Sequence, residues 1–333
     1  MKIITARPHR LLGEIVQRIG ALAAQDQRCM LLVPSQSTLQ AELEVMTRLN
    51  LEGTFLIDVL SPGRLQSRVF ERAGSPDRVI FDERGKCMVL SEIIEQEKEN
   101  LTVYRSAAEN GALGLAQKMS SLIADFKRGG KSAQDILSSL DSMDEAQRQR
   151  PSSRKLADAA RIYAAYEQRM AGKLCDAEDV SREMLARLER SGVLSGQHVF
   201  VYGFDMITPT FAAELAYMAT LAQTLTLAVE TDGNSAPDGR LFAPVNYSID
   251  RLCALAKERG VPVERERIAA PLDVPQDLQV LERSLFALGA SAFDDAPDHI
   301  SLHAASSMQQ EVHLAGSRMR RMLAAGEDPQ HID

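Results

Sequence analysis

Along the opening of the chain, apolar positions switch between two spacings. Residues 2–5 form a short apolar run and residues 29–33 a continuous one, Cys29-Met30-Leu31-Leu32-Val33, the pattern of strands buried on both faces. Between them Leu11, Leu12, Ile15, Val16, Ile19 and Leu22 recur at helical spacing over 10–24. Pro34 stops the second strand, and Ser35 opens a helix expected to run through 49. Residues 54–60 read as a third strand. Ser61 and Pro62 are an N-cap and a first-turn proline for a helix that ends at Gly74. This β-α-β-α-β-α succession predicts a parallel sheet.

The rhythm then changes. From 82 to 191 the spacing predicts helices at 83–98, 112–128, 132–140, 153–171 and 177–191, with no convincing strand. A strand at 199–202, a helix at 208–222 and a strand at 224–230 follow. Residues 231–244, rich in Gly, Pro, Asn and Asp, read as a loop. Next come a helix at 248–259, a strand at 261–266, a linker at 269–275 and a helix at 276–288. Past a boundary at 294–298, a strand is expected at 299–304 and a helix at 309–325. The expectation is one parallel sheet built from 1–80 and 195–290, split by a helical insertion at 81–194. Residues 291–333 would begin a second α/β domain. Gln330-His331-Ile332-Asp333 reads as a turn leading into another strand, and a lone β-α unit leaves its sheet edge unpaired. The sequence is therefore expected to be part of a longer chain.

Composition narrows the class. Hydrophobic residues make up 45% and charged residues 25% of 333, which excludes a disordered chain. No apolar run approaches the roughly 18 residues of a membrane-crossing helix. Cys29, Cys87, Cys175 and Cys253 are far apart, so no C-x-x-C metal or redox signature exists and a reduced, cytoplasmic protein is expected. The net charge of −8 divides as +2 over 1–80, −1 over 81–194 and −9 over 195–333. A polyanion surface is therefore expected in the first part of the chain.

The first strand-to-helix turn of such a sheet is where nucleotide phosphates dock. Here it reads Thr5-Ala6-Arg7-Pro8-His9-Arg10-Leu11-Leu12-Gly13, without the glycines or the Lys-Ser/Thr pair of a P-loop. Arg7, His9 and Arg10 remain as anion-attracting groups. The strand at 199–202 should carry the Mg²⁺-holding acid of an ATPase, yet only Asp205 follows it. Arg7, His9, Arg10 and Asp205 are thus read as positions of a degenerate nucleotide site, with no catalytic residue. Gly130-Lys131-Ser132 follows a helix rather than a strand, so it reads as a C-cap and the next N-cap. His299 and His303 would share a strand face without completing a metal set. Arg64, Arg68 and Arg72 recur every four residues, a stripe suited to a phosphate backbone. Gln36 and Thr38 lie past the second strand, where open α/β sheets place ligands.

Several blocks together resemble the AddB/RexB family. They are Leu31-Leu-Val-Pro-Ser-Gln-Ser-Thr-Leu-Gln, Leu60-Ser-Pro-Gly-Arg-Leu, Val201-Tyr-Gly-Phe-Asp-Met-Ile-Thr-Pro and Gln310-Glu-Val with Gly326-Glu-Asp-Pro. The resemblance implies the B subunit of a bacterial ATP-dependent helicase–deoxyribonuclease, with a superfamily 1, RecA-like helicase fold and helical insertions. It implies a partner of the AddA type, which supplies the motor, and work on double-strand breaks in the cytoplasm at the nucleoid. It also implies a C-terminal nuclease domain with a 4Fe-4S cluster and Mg²⁺, whose residues lie outside this sequence. Gln36, Thr38, Arg64 and Phe204 match family motif positions and join Arg68 and Arg72 as expected contacts to single-stranded DNA at a duplex end. Many members keep a P-loop where this chain has Arg7-Pro8-His9-Arg10. Where relatives often carry rings, this chain has Pro62, Gly63 and Ser67. The expectation is a helicase-like DNA-binding part without ATPase activity. An interaction scaffold that touches no DNA and a cryptic active ATPase stay open as alternatives.

Overall fold

In the computed structural model, which describes residues 1–232, 239–269, 274–287, 289 and 292–329, the first strands and helices form as their spacing predicts. β1 (Lys2–Ala6), α1 (Leu11–Ala23), β2 (Arg28–Leu32), α2 (Thr38–Arg48), β3 (Ile57–Leu60) and α3 (Pro62–Ala73) follow one another. A 3-10 turn at Ser35–Ser37 precedes α2. Ser61 caps α3 by accepting the Arg64 N–H at 3.3 Å.

The helical segment contains β4 (Val79–Ile80), α4 (Glu83–Glu97), α5 (Arg105–Glu109), α6 (Ala112–Arg128), α7 (Ala133–Asp141), α8 (Glu145–Arg148), α9 (Pro151–Met170), β5 (Leu174–Cys175) and α10 (Ala177–Ser191). It has its own apolar core, in which Leu90, Ile94, Met119, Ile123, Tyr163 and Tyr166 are buried together. β5 corrects the expectation of no strand there: two residues pair with β4 in parallel, too short a stretch to show a period. α10 packs on α3, and its Met184 and Leu188 join the core beneath the main sheet. Gly130 has φ +67 at the end of α6, and Ser132 forms a reciprocal capping box with Asp135, so Gly130-Lys131-Ser132 is a helix stop and start.

The chain returns through β6 (Gln197–Val201), α11 (Pro209–Leu221), β7 (Thr224–Glu230), α12 (Gly239–Glu258) and β8 (Glu264–Arg267). All six long strands are parallel, in the order β3-β2-β6-β7-β1-β8. Alternate side chains feed two cores. Ile3, Met30, Leu32, Val199 and Val201 pack with α3, α10, α11 and α12 on one face. Ile4, Cys29, Leu31 and Phe200 pack with α1 and α2 on the other. Helices on both faces of a parallel sheet are consistent with a RecA-like fold. The expected loop at 231–244 is shorter than its composition suggests, since α12 begins at Gly239 and carries Pro244 inside it. That proline forgoes one hydrogen bond near the start of the helix, while Phe242, Ile249 and Leu252 gain burial. Residues 233–238 of that loop, 270–273 of the linker, residue 288, residues 290 and 291 at the expected domain boundary, and residues 330–333 lie outside the described residues.

The chain divides into two compact units, Met1–Ala270 and Pro271–Asp333. The second contains α13 (Gln276–Ser284) and α14 (Met308–Ala324). The strand expected at 299–304 does not form. A strand needs a neighbour for its N–H and C=O groups, and none of the described residues lies alongside. Instead Asp277 accepts the His299 N–H at 2.8 Å and faces its ring, while His303 Nε2 meets Arg318. The two histidines therefore share no strand face. Among the described residues no three His, Cys, Asp or Glu side chains are grouped so as to hold a metal ion, and no helix is long and apolar enough to cross a membrane.

Candidate nucleic-acid interface

At the carboxyl ends of the strands, β1 and β7 are neighbours, with Ala6 opposite Glu230. The turn from β1 to α1 therefore faces the end of β7, and acids from that end fill it. His9 takes a left-handed backbone, φ 65, and its N–H donates to Glu230 Oε1 at 3.1 Å. Arg7 Nη1 pairs with Asp232 Oδ2 at 3.1 Å, both side chains being largely buried, and its guanidinium lies 5.7 Å over the Phe242 ring. Asp232 also pairs with Arg267. Arg10 stands half-buried at the N-cap of α1 without a side-chain cap bond. Burial, with Glu230 beside it, pushes the Tyr202 hydroxyl up to about 12. Two anion-binding groups of this turn, the Arg7 guanidinium and the His9 N–H, are thus answered by the chain's own carboxylates. Nothing in the local sequence signalled Glu230 and Asp232, because they arrive from more than 200 residues away by strand order.

These strand ends line a cleft of 630 Å³ that brings together His9, Tyr202, Phe204, Asp205, Glu230 and Phe242. Gly203, at φ +81, lets the β6 end pass Pro34: a Cβ there would stand 3.3 Å from the proline ring. Asp205 is exposed on the rim. Phe204 is half-buried, its ring centroid 4.9 Å from that of Phe211. A second cleft, of 340 Å³, also has Phe204 in its wall and is lined by Pro62, Arg128, Met206, Thr210, Phe211 and Glu214 among others. Thr210 Oγ1 is held at 3.0 Å from the Lys127 carbonyl, which ties the start of α11 to the end of α6. Burial pushes the Glu214 carboxyl up to about 7.

The remaining expected contacts divide. Gln36 is exposed in the turn before α2. Thr38 is buried, and its hydroxyl donates to the Ser35 carbonyl at 3.0 Å; Ser37 and Gln40 line the first cleft instead. Of the arginine stripe, Arg68 is locked bidentately on Asp58 of β3 at 2.7 and 2.8 Å. Arg64 and Arg72 are exposed, and neither is in an ion pair among the described residues. Pro62 places the start of α3, two residues before Arg64, on the rim of the second cleft. An arginine, a paired aromatic and a glycine turn thus share the ends of β3 and β6, on strands two places apart in the sheet.

Comparison with known proteins decides the family. The family described as "ADDB, N-terminal" matches residues 5–282. The chain belongs to the ADDB family. It is similar to the B subunit of the ATP-dependent helicase/deoxyribonuclease of Desulforudis audaxviator, 29% identical over 94% of this chain and 27% of the relative. The protein of the same description from Symbiobacterium thermophilum is 28% identical over 96% of this chain and 28% of the relative. That from Bacillus cereus (strain ATCC 10987 / NRS 248) is 25% identical over 98% and 28%. The ADDB chain described here thus spans a little over a quarter of the length of the curated relatives it matches.

Proposed function

We propose that this chain is the helicase-like N-terminal part of the B subunit of an ATP-dependent helicase–deoxyribonuclease, and that it grips single-stranded DNA without hydrolysing ATP. The observation that carries the reading is Glu230. Its carboxylate takes the His9 N–H at 3.1 Å, in the turn where a nucleotide-binding sheet of this kind would receive phosphate. A phosphate brought there would meet Glu230 and Asp232, two negative charges already paired to the turn. Residues 1–80 and 195–290 act as the first RecA-like domain of a superfamily 1 helicase, with 81–194 inserted and 291–333 opening the second. Arg64, Phe204, Gln36 and Arg72 carry the strand contacts, with phosphates held by the arginines and a base resting on the half-buried Phe204. Such a grip needs no turnover, so the motor is supplied by a partner of the AddA type. The assembly works in the cytoplasm on broken DNA ends. Any 4Fe-4S cluster and Mg²⁺ serve its nuclease domain.

The test is anisotropy of a labelled single-stranded oligonucleotide across a salt series. Arg64→Ala is expected to weaken binding and to lower the slope of log K against log salt by roughly 0.7, one single-strand phosphate. A slope equal to that of the parent removes Arg64 from the interface.

A further inference from the structure

Charge in the 630 Å³ cleft at the carboxyl ends of the strands is one-sided. Glu230 and Asp205 stand in its wall, and no Lys or Arg lines it among the described residues. Positions 233–238 contain no Lys or Arg either. Glu230 Oε1 accepts the His9 N–H at 3.1 Å, and the Tyr202 hydroxyl stands 3.5 Å from it. Both are neutral groups, so the carboxylate keeps its charge. No hydrogen bond reaches Oε2 among the described residues. Asp205 is exposed on the rim.

Rings accompany the acids. Tyr202, Phe204 and Phe242 line the same cleft. A ring face attracts a cation, and a guanidinium suits it because that group is planar and weakly hydrated. The chain itself shows the pairing at one wall. There the Arg7 guanidinium lies 5.7 Å over the Phe242 ring, and its Nη1 is 3.1 Å from the Asp232 carboxylate. Tyr202 beside Glu230 repeats the combination of ring and carboxylate, and no cation among the described residues lines the cleft there. Burial, with Glu230 beside it, pushes the Tyr202 hydroxyl up to about 12, as surroundings hostile to a further negative charge would. The volume falls in the range of small-ligand clefts, ~300–1,000 Å³.

We infer that this cleft is a binding site for a guanidinium group, held by the Tyr202 ring and the Glu230 and Asp205 carboxylates, where a nucleotide-binding sheet of this kind would take phosphate. The inference rests on the reading of the β1–α1 turn as closed to nucleotide. An arginine side chain of a partner protein and a free guanidine-bearing metabolite present the same group.

The test is a saturation-transfer NMR titration with N-acetyl-arginine amide and with its citrulline counterpart, which has the shape of arginine without the charge. Saturable binding of the arginine amide is expected in the millimolar range or tighter, with the citrulline amide not bound. In E230Q the amide oxygen can still accept the His9 N–H, and Asp205 is exposed, so E230Q/D205N is expected to melt as the parent does. This double variant is expected to bind the arginine amide more weakly by roughly tenfold or more. Citrulline amide bound as tightly as arginine amide, or parental affinity in E230Q or in the double variant, overturns the site. Binding of neither the arginine amide nor Mg²⁺-ATP overturns it and leaves the closed nucleotide site standing, whereas binding of Mg²⁺-ATP overturns both. A Gly-Arg-Gly peptide with blocked ends that binds more tightly than agmatine assigns the group to a protein partner. The reverse order assigns it to a free metabolite, and either order supports the site.

Discussion

Glu214 sits on α11 in the second cleft, beside Phe211 and Thr210. Burial lifts its carboxyl from 4.5 to about 7. The folded chain therefore binds a proton that the unfolded chain releases, so stability falls as pH rises from 4.5 and reaches its low plateau above 7. Glu214→Gln removes this cost. At pH 8 the variant is expected to be more stable than the parent by at most about 3 kcal/mol, with the difference vanishing near pH 4.5. Urea unfolding at the two pH values checks it; equal midpoints at pH 8 refute the placement of the charge. The neighbouring contacts show how far single residues were readable. The four-residue spacing of Arg64, Arg68 and Arg72 places them on one helix face, as the structure has it. That spacing does not reveal that Arg68 is committed to Asp58, because the bond exists only once α3 packs back on the edge strand β3. Thr38 likewise looks available in the sequence, but its hydroxyl is used by the turn that starts α2.

Among elements, α4, α6 and α9 are pinned to the start of α10 by a buried ionic network. Lys127 of α6 lies 2.7 Å from Asp176 and 2.9 Å from Asp179, and Lys86 of α4 lies 3.0 Å from Glu178. The Tyr166 hydroxyl of α9 donates to Asp176 at 2.8 Å. Burial by itself would push the Asp176 carboxyl up; the hydrogen bond and charge of Lys127, with Lys86 nearby, hold it down at about 2. Its folded value lies below its unfolded 3.8, so this contribution is fully present above 3.8 and is lost as pH falls toward 2. Asp176→Asn leaves two buried lysines short of a charge partner. It is expected to destabilise by roughly 3–5 kcal/mol at pH 7, read as a fall in the urea midpoint. A loss below about 1 kcal/mol shows that the network does not hold these helices. The helices themselves were readable from apolar spacing, since each buries one stripe. The β4-β5 pair was not, because two residues cannot display a period of two.

For the molecule as a whole, acids at the end of one strand answer the cations at the end of its neighbour. A ligand bound at 100 times its dissociation constant adds about 2.7 kcal/mol to stability, several degrees in melting temperature for a domain of this size. With millimolar Mg²⁺-ATP the melting midpoint is expected not to move. A rise of about 5 °C overturns the reading of a closed nucleotide site, and the same scan with Glu230→Gln asks whether that carboxylate is what closes it.

Element type along 1–80, the helical character of 83–191 and the return of strands near 199 and 224 follow from local spacing, because burial on one or two faces imprints a period on the chain. The missing P-loop is equally local, a matter of nine consecutive residues. Strand order is different. It sets β7 beside β1 and so delivers Glu230 to His9 and Asp232 to Arg7, across separations of 221 and 225 residues. The strand expected at 299–304 fails for the same reason in reverse. Its apolar pattern suits a sheet, but a strand exists only where another lies beside it, and pairing is a property of the folded chain rather than of any segment.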